Sequence, residues 1–153
     1  MINNDILERI RFMFDFDVST MIEIFGLAEL KVTQQQLSDW LKNKTEDSFQ
    51  KLDDVQLAMF LNGLINYRRG KKDGAQPEPE KLLTNNMVFQ KLKIALDLKN
   101  DEILKILVRS DLPLSKHELS AFFRKPGHKH YRECKDQVLR NFLSGLKFKY
   151  RAN

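Results

Sequence analysis

The chain has 153 residues, 42% apolar, 10% aromatic and 31% charged, with a formal net charge of +5. This composition belongs to a globular protein of one domain or two very small ones; four Pro and six Gly exclude a fibrous or disordered chain, and 11 Phe supply the bulk of a core. A single cysteine excludes an internal disulfide, and no run approaches the ~20 apolar residues of a membrane span.

The first residues, Met1-Ile2-Asn3-Asn4-Asp5, lack the basic and apolar regions of a signal peptide. With the lone cysteine this leads to the expectation of a cytoplasmic protein. Asn3 and Asn4 stand as N-cap candidates for a first helix that carries Ile6, Leu7, Ile10 and Phe14 at spacings of three and four. Asp15 follows near its end and is expected to cap the next turn. A second helix holds Met21, Ile22, Ile24 and Phe25. The third opens with Thr33-Gln34-Gln35-Gln36, a capping box in which each end of the motif satisfies an orphan backbone amide. Asp53-Asp54 begins a fourth helix, where carboxylates favour the positive end of the dipole. The stretch from Gly70 to Glu80 has glycines, alternating prolines and almost no apolar residues, so it is expected to be a linker.

Beyond the linker the pattern repeats. Displacing the chain by 82 residues lays Asn3-Asn4 on Asn85-Asn86 and holds register to the end without a gap. Asp15 meets Asp97, Leu37-Ser38 meets Leu119-Ser120, Trp40 meets Phe122, and Asp54 meets Asp136. Phe60-Leu61-Asn62-Gly63-Leu64 meets Phe142-Leu143-Ser144-Gly145-Leu146. So long an ungapped match marks a tandem duplication. The second copy repeats the first helix with Val88, Phe89, Leu92, Ala95 and Leu96, and the second with Ile103, Leu104, Ile106 and Leu107. Its capping box is Ser115-Lys116-His117-Glu118, and Leu139, Phe142, Leu143, Leu146 and Tyr150 share one face of its fourth helix.

With no alternating segments to form a sheet, the fold class is all-α: two tandem copies of a four-helix unit, 1–70 and 85–153, joined by 71–84. Gly63 and Gly145 lie inside the fourth helices, where glycine costs about 0.5–1 kcal/mol relative to alanine; their recurrence is expected to mark a close helix–helix approach, the alternative being a tolerated glycine inherited by duplication. A unit of under ~70 residues buries little core alone. The halves are therefore expected to pack on each other about a pseudo-two-fold axis, or on those of a second chain as a homodimer, which a linker of this length permits by swapping.

Charge is divided unequally. Residues 1–70 hold 8 Lys and Arg against 11 Asp and Glu, a net of −3, whereas residues 85–153 hold 15 against 7, a net of +8. The excess gathers in Arg124-Lys125-Pro126-Gly127-His128-Lys129-His130-Tyr131-Arg132 and continues on the last helix as Arg140, Lys147 and Arg151. Such cations neutralise phosphates, the sequence-independent part of nucleic-acid binding; Pro126-Gly127 offers backbone amides, and Tyr131 or His130 a ring to stack on a base. The alternative is a solvated face, or a surface complementary to the acidic copy.

Helices two and three of each copy also have the outline of a helix-turn-helix. It would direct Gln34, Gln35 and Asp39, or Lys116, His117 and Arg124, outward to base edges. The turn lacks a glycine and in copy two contains Pro113, and any αα-hairpin of a bundle has the same outline.

His117, His128, His130 and Cys134 are zinc-ligand types, but H-x10-H-x-H-x3-C matches no zinc-site spacing. No metal or cofactor is expected, and Cys134, which aligns with Leu52, is taken as a half-buried apolar residue. A phosphate-cradling glycine loop, a G-x-S-x-G elbow and H-E-x-x-H are all missing, and no catalytic residue is assigned. The Asn-Asn start, the Pro-containing linker and the run Lys116-His117-Glu118-Leu119-Ser120-Ala121-Phe122-Phe123-Arg124-Lys125-Pro126-Gly127-His128 resemble the YehS-like family of small bacterial proteins, in which a domain of unknown function occurs in two tandem copies. The likeness covers nearly the whole chain and is most specific from Ser115 to Leu146. It implies a bacterial cytosolic protein and brings no activity, cofactor or catalytic residue. The expectation is a non-enzymatic protein whose second copy binds DNA or RNA through Lys116, His117, Arg124, Lys125, Lys129, Arg132, Arg140 and Lys147; the alternative is a self-associating or protein-interaction module.

Overall fold

A computed structural model describes residues 1–151. It is all-helical, with α1 (Asn3–Phe14), α2 (Val18–Leu27), α3 (Gln34–Trp40) and α4 (Asp54–Arg69), then α5 (Asn85–Ala95), α6 (Asn100–Arg109), α7 (Lys116–Phe122) and α8 (Asp136–Tyr150). The chain divides into two compact units, Met1–Leu83 and the remainder from Thr84. Each contains four helices, as the duplicated pattern predicts.

The stretch after α4 has no helix and is tied to the first unit. Asn66 donates from Nδ2 to Gln76 at 2.8 Å, and the Leu83 amide donates to Asp54 Oδ2 at 2.8 Å. Gly70 and Gly74 have φ of 90° and 92°, a region that favours glycine.

Both capping boxes form. The Thr33 hydroxyl accepts from the Gln36 amide at 3.1 Å and the Gln36 side chain accepts from the Thr33 amide at 2.9 Å; Ser115 and Glu118 do the same, each at 3.0 Å. The Asn pairs, in contrast, are not caps. α1 is preceded by Ile2 and α5 by Thr84, whose hydroxyl accepts from the Met87 amide, and the asparagines lie within the first turn. Their amides turn inward because they serve distant backbone groups. Asp15 and Asp97 do not cap the next helix either. They end the first helix of each unit in the left-handed conformation, φ 53° and 51°, and Glu29 and Asp111 end the second at φ 68° and 64°. Each of these turns closes with a bond spanning five residues, such as Leu30 N to Phe25 O at 3.1 Å and Leu112 N to Leu107 O at 2.9 Å.

Gly63 and Gly145 sit where the fourth helix of a unit crosses the second. A Cβ at 63 would fall 1.9 Å from the Ile24 carbonyl oxygen; at 145 it would fall 2.5 Å from Ile106 Cγ2 and 2.6 Å from the Ile106 oxygen. The repeated glycine is thus a requirement of backbone approach. Around this crossing the cores differ by an exchange of sizes. In the first unit Phe25 of α2 is central, 5.0 Å from Phe60 and 5.4 Å from Trp40 between ring centres. In the second, Phe89 of α5 takes that role, 4.4 Å from Phe142 and 6.1 Å from Phe122. Leu7 and Phe25 have become Phe89 and Leu107 at the matching positions, all four buried, so the total core volume is kept.

Candidate functional site

The cationic run occupies the connection between α7 and α8, and its shape is set by α5. Asn86, 7% exposed, donates from Nδ2 to the carbonyls of Phe122 (3.0 Å) and Arg132 (2.8 Å), while its Oδ1 accepts from the Cys134 amide at 2.8 Å. Asn85 donates to the Cys134 carbonyl at 3.0 Å and to Asp136 Oδ1 at 2.7 Å; this bond holds the Asp136 carboxyl below its usual range. One side chain therefore gathers the beginning and the end of the loop, and its neighbour fixes the start of α8. Between these anchors run two successive turns, closed by His128 N to Lys125 O and Tyr131 N to His128 O, both 2.9 Å. The Arg132 amide then returns to Ala121 O at 3.1 Å.

The first unit builds the same frame. Asn4 donates to Trp40 O and Gln50 O, each at 2.9 Å, and accepts from Leu52 N at 3.0 Å. Its turns close through Glu46 N to Asn43 O and Phe49 N to Glu46 O, at 3.0 and 3.1 Å, and Gln50 N reaches Asp39 O at 3.1 Å. The contents differ. Residues 42–50 carry two cations and two carboxylates (Lys42, Lys44, Glu46, Asp47); residues 124–132 carry four cations and no carboxylate.

Arg124, Lys125, Lys129 and Arg132 are all exposed. Arg132 approaches Glu118 of α7 at 3.8 Å and Lys116 approaches Asp101 at 3.8 Å, both solvated pairs whose attraction is worth little. Among the described residues no carboxylate pairs with Arg124, Lys125 or Lys129. The frame also brings together side chains far apart in sequence: the His130 ring lies 5.8 Å from that of His117 on α7 and 5.5 Å from that of His128. At the base of the loop Lys93 of α5 stands 4.4 Å over the Phe123 ring, with its ammonium pKa lowered by burial. Arg140 and Lys147 stand apart on α8, about 10 Å along its axis from each other. Arg140 is half-buried, reaching Gln137 at 3.5 Å, and Lys147 is exposed. Six of the eight expected residues thus lie on α7 and its following loop, and two belong to a separate element.

The hairpins α2–α3 and α6–α7 each have a six-residue connection, 28–33 and 110–115, against the three or four residues usual in a DNA-reading helix-turn-helix. Gln34, Gln35, Lys116 and His117 are exposed and Asp39 is half-buried.

Cys134 is fully buried at 1% exposure rather than half-buried, because its amide is the third ligand of Asn86 and its side chain follows inward. Burial pushes its thiol up to about 12, with the Asp136 charge adding to the effect. Since the thiolate is the reactive form, Cys134 is expected to resist a thiol-specific disulfide reagent in native buffer at pH 8 and to react fully in denaturant. Rapid native labelling would mean that the Asn86 frame opens readily. Among the described residues no group of three or more His, Cys, Asp or Glu is arranged to hold a metal ion, and no helix is long and apolar enough to cross a membrane.

The duplicated frame has a counterpart in known sequences. The family model described as "Protein of unknown function (DUF1456)" matches residues 3–70 and again 85–152. The chain belongs to that family. The two matches stand 82 residues apart, the displacement at which the copies overlay. A relative, the "Uncharacterized protein YehS" of Escherichia coli (strain K12), is 42% identical over 147 residues, covering 95% of this chain and 94% of its own. No solved structure matches.

Proposed function

We propose that this protein is a cytoplasmic, non-enzymatic binding protein whose second unit takes a polyanion, foremost DNA or RNA, on the surface formed by α7 and the loop 124–132. The observation that supports this reading is a fixed, exposed nine-residue loop with four cations and no carboxylate, on a frame whose other copy is charge-balanced. An ordered loop presents its cations without first losing the conformational freedom of a loose tail. Lys116 and His117 extend the surface at the start of α7, where a helix-turn-helix-like hairpin would offer them to bases. Arg140 and Lys147 add positive potential along α8.

The test is fluorescence anisotropy with a labelled 20-base-pair duplex and a single-stranded RNA across a salt series. Four phosphate contacts on duplex DNA give a log–log slope of about −3.6, and hence roughly a hundredfold loss of affinity between 50 and 200 mM salt. The Arg124→Glu, Lys125→Glu, Arg132→Glu variant is expected to lose binding at all salt concentrations with its helical circular dichroism intact. No binding to either nucleic acid at the lowest salt removes the reading, and loss of helicity in the variant assigns these residues to the fold instead.

A further inference from the structure

The three imidazoles of the second unit form a cluster that the phosphate-binding reading does not by itself require. His117 comes from the first turn of α7, His128 and His130 from the loop, and successive ring centres are 5.8 and 5.5 Å apart. All three side chains are exposed, so nothing in the packing demands histidine there. We propose that His117, His128 and His130 make a phosphate subsite that takes up protons as it is occupied, so that the second unit binds phosphate-bearing polyanions more tightly as pH falls through the imidazole range. This inference rests on the polyanion reading above.

The charges around the cluster carry the argument. The same loop carries Arg124, Lys125, Lys129 and Arg132, and Glu133 follows, 3.2 Å from Lys135. From α7, Lys116 adds a positive charge and Glu118 a negative one; the Glu118 carboxyl is held below its usual range first by the Ser115 amide, with Arg132 and His117 adding to it. From α6, Asp101 lies 3.8 Å from Lys116. Cations therefore outnumber carboxylates on the elements that carry the rings, and each imidazolium would face a neighbouring one. A free imidazole changes charge near pH 6.5. A phosphate placed over the cluster favours every imidazolium near it by its negative charge. Binding and protonation then promote one another, as linked equilibria must.

Hydrogen bonding adds a second element. His128 Nδ1 accepts from the His130 amide at 3.0 Å, which requires that nitrogen to be unprotonated. Protonation at Nδ1 breaks this bond, turns Nδ1 into a donor and frees the His130 N–H. The loop then gains one positive charge and two donors in the same place, all suited to phosphate oxygens.

Anisotropy with the same labelled duplex, at constant ionic strength from pH 5.5 to 8.5, tests the subsite on the full chain. The native protein is expected to bind at least tenfold more tightly at pH 5.5 than at pH 8.5. Calorimetry at pH 6.5 in two buffers of different ionisation enthalpy should register proton uptake. The triple variant His117→Gln, His128→Gln, His130→Gln is expected to keep the native helicity and, whatever its affinity at pH 8.5, to bind no more tightly at pH 5.5 and to take up no protons. Equal pH slopes in the native and triple-variant proteins, or a flat native profile with binding intact at pH 8.5, would overturn the subsite and leave the polyanion reading standing. Absence of binding at every pH would overturn both. Should the triple variant lose helicity, His130→Gln alone is the comparison, and an undiminished slope there refutes the cluster.

Discussion

Replacing Gly63 with alanine is expected to cost the first unit more than about 3 kcal/mol, lowering its melting temperature by about 15 °C. The new methyl would lie 1.9 Å from the Ile24 carbonyl oxygen. That atom belongs to the α2 backbone, so relief requires moving a helix. The gain in helix propensity, about 0.5–1 kcal/mol, does not offset it, and a unit of this size holds only about 5–10 kcal/mol in total. Gly145→Ala should be damaging but milder, because the backbone oxygen it meets, that of Ile106, lies at 2.6 Å rather than 1.9 Å, with Ile106 Cγ2 at 2.5 Å. Gly26→Ala serves as the control: nothing lies within 4 Å of its Cβ position, so that change should be neutral or stabilising. Thermal denaturation orders the three variants, and hydrogen exchange assigns each loss to its unit. An innocuous Gly63→Ala would contradict the helix crossing described here.

Asn86→Ala is expected to have the second-largest effect, about 2–4 kcal/mol on the second unit. It strands the Cys134 amide and deprives the carbonyls of Phe122 and Arg132 of a donor, and each buried group left unsatisfied costs about 1–3 kcal/mol. Asn4→Ala should cost the first unit a similar amount, since its amide makes the same three bonds. The two variants should differ in function. Loosening the second frame disperses the cations and histidines and should weaken duplex binding, whereas loosening the first should leave it unchanged. Chemical denaturation and anisotropy on both variants check this. Full stability in Asn86→Ala would show that the loop holds its shape without the amide.

Much of the fold is legible in the residues themselves. The duplication, the eight helices, both capping boxes and the two close-approach glycines all follow from periodicity and from comparing the copies. What escapes such reading is action at a distance. Asn3-Asn4 and Asn85-Asn86 look like caps because asparagine usually bonds to its own neighbourhood; their actual partners lie 36 to 51 residues away. Their recurrence at the same place in both copies was the available signal. Asp15, Asp97, Glu29 and Asp111 escape notice as helix terminators because that position usually belongs to glycine or asparagine. The basic loop is visible as composition, but its histidine cluster is not. Positions 117, 128 and 130 have no regular spacing, and only the two turns and the return of Arg132 to Ala121 bring their rings together.

The asparagine that anchors each loop binds main-chain atoms alone: two carbonyls and one amide in either unit. Recognition of this kind is indifferent to what the intervening side chains are, provided their number is kept. Each loop therefore behaves as an interchangeable cassette, and after duplication one could drift to a new chemistry without renegotiating its scaffold. Moving residues 124–132 into the seat of 42–50 should carry the positive surface to the other half of the protein.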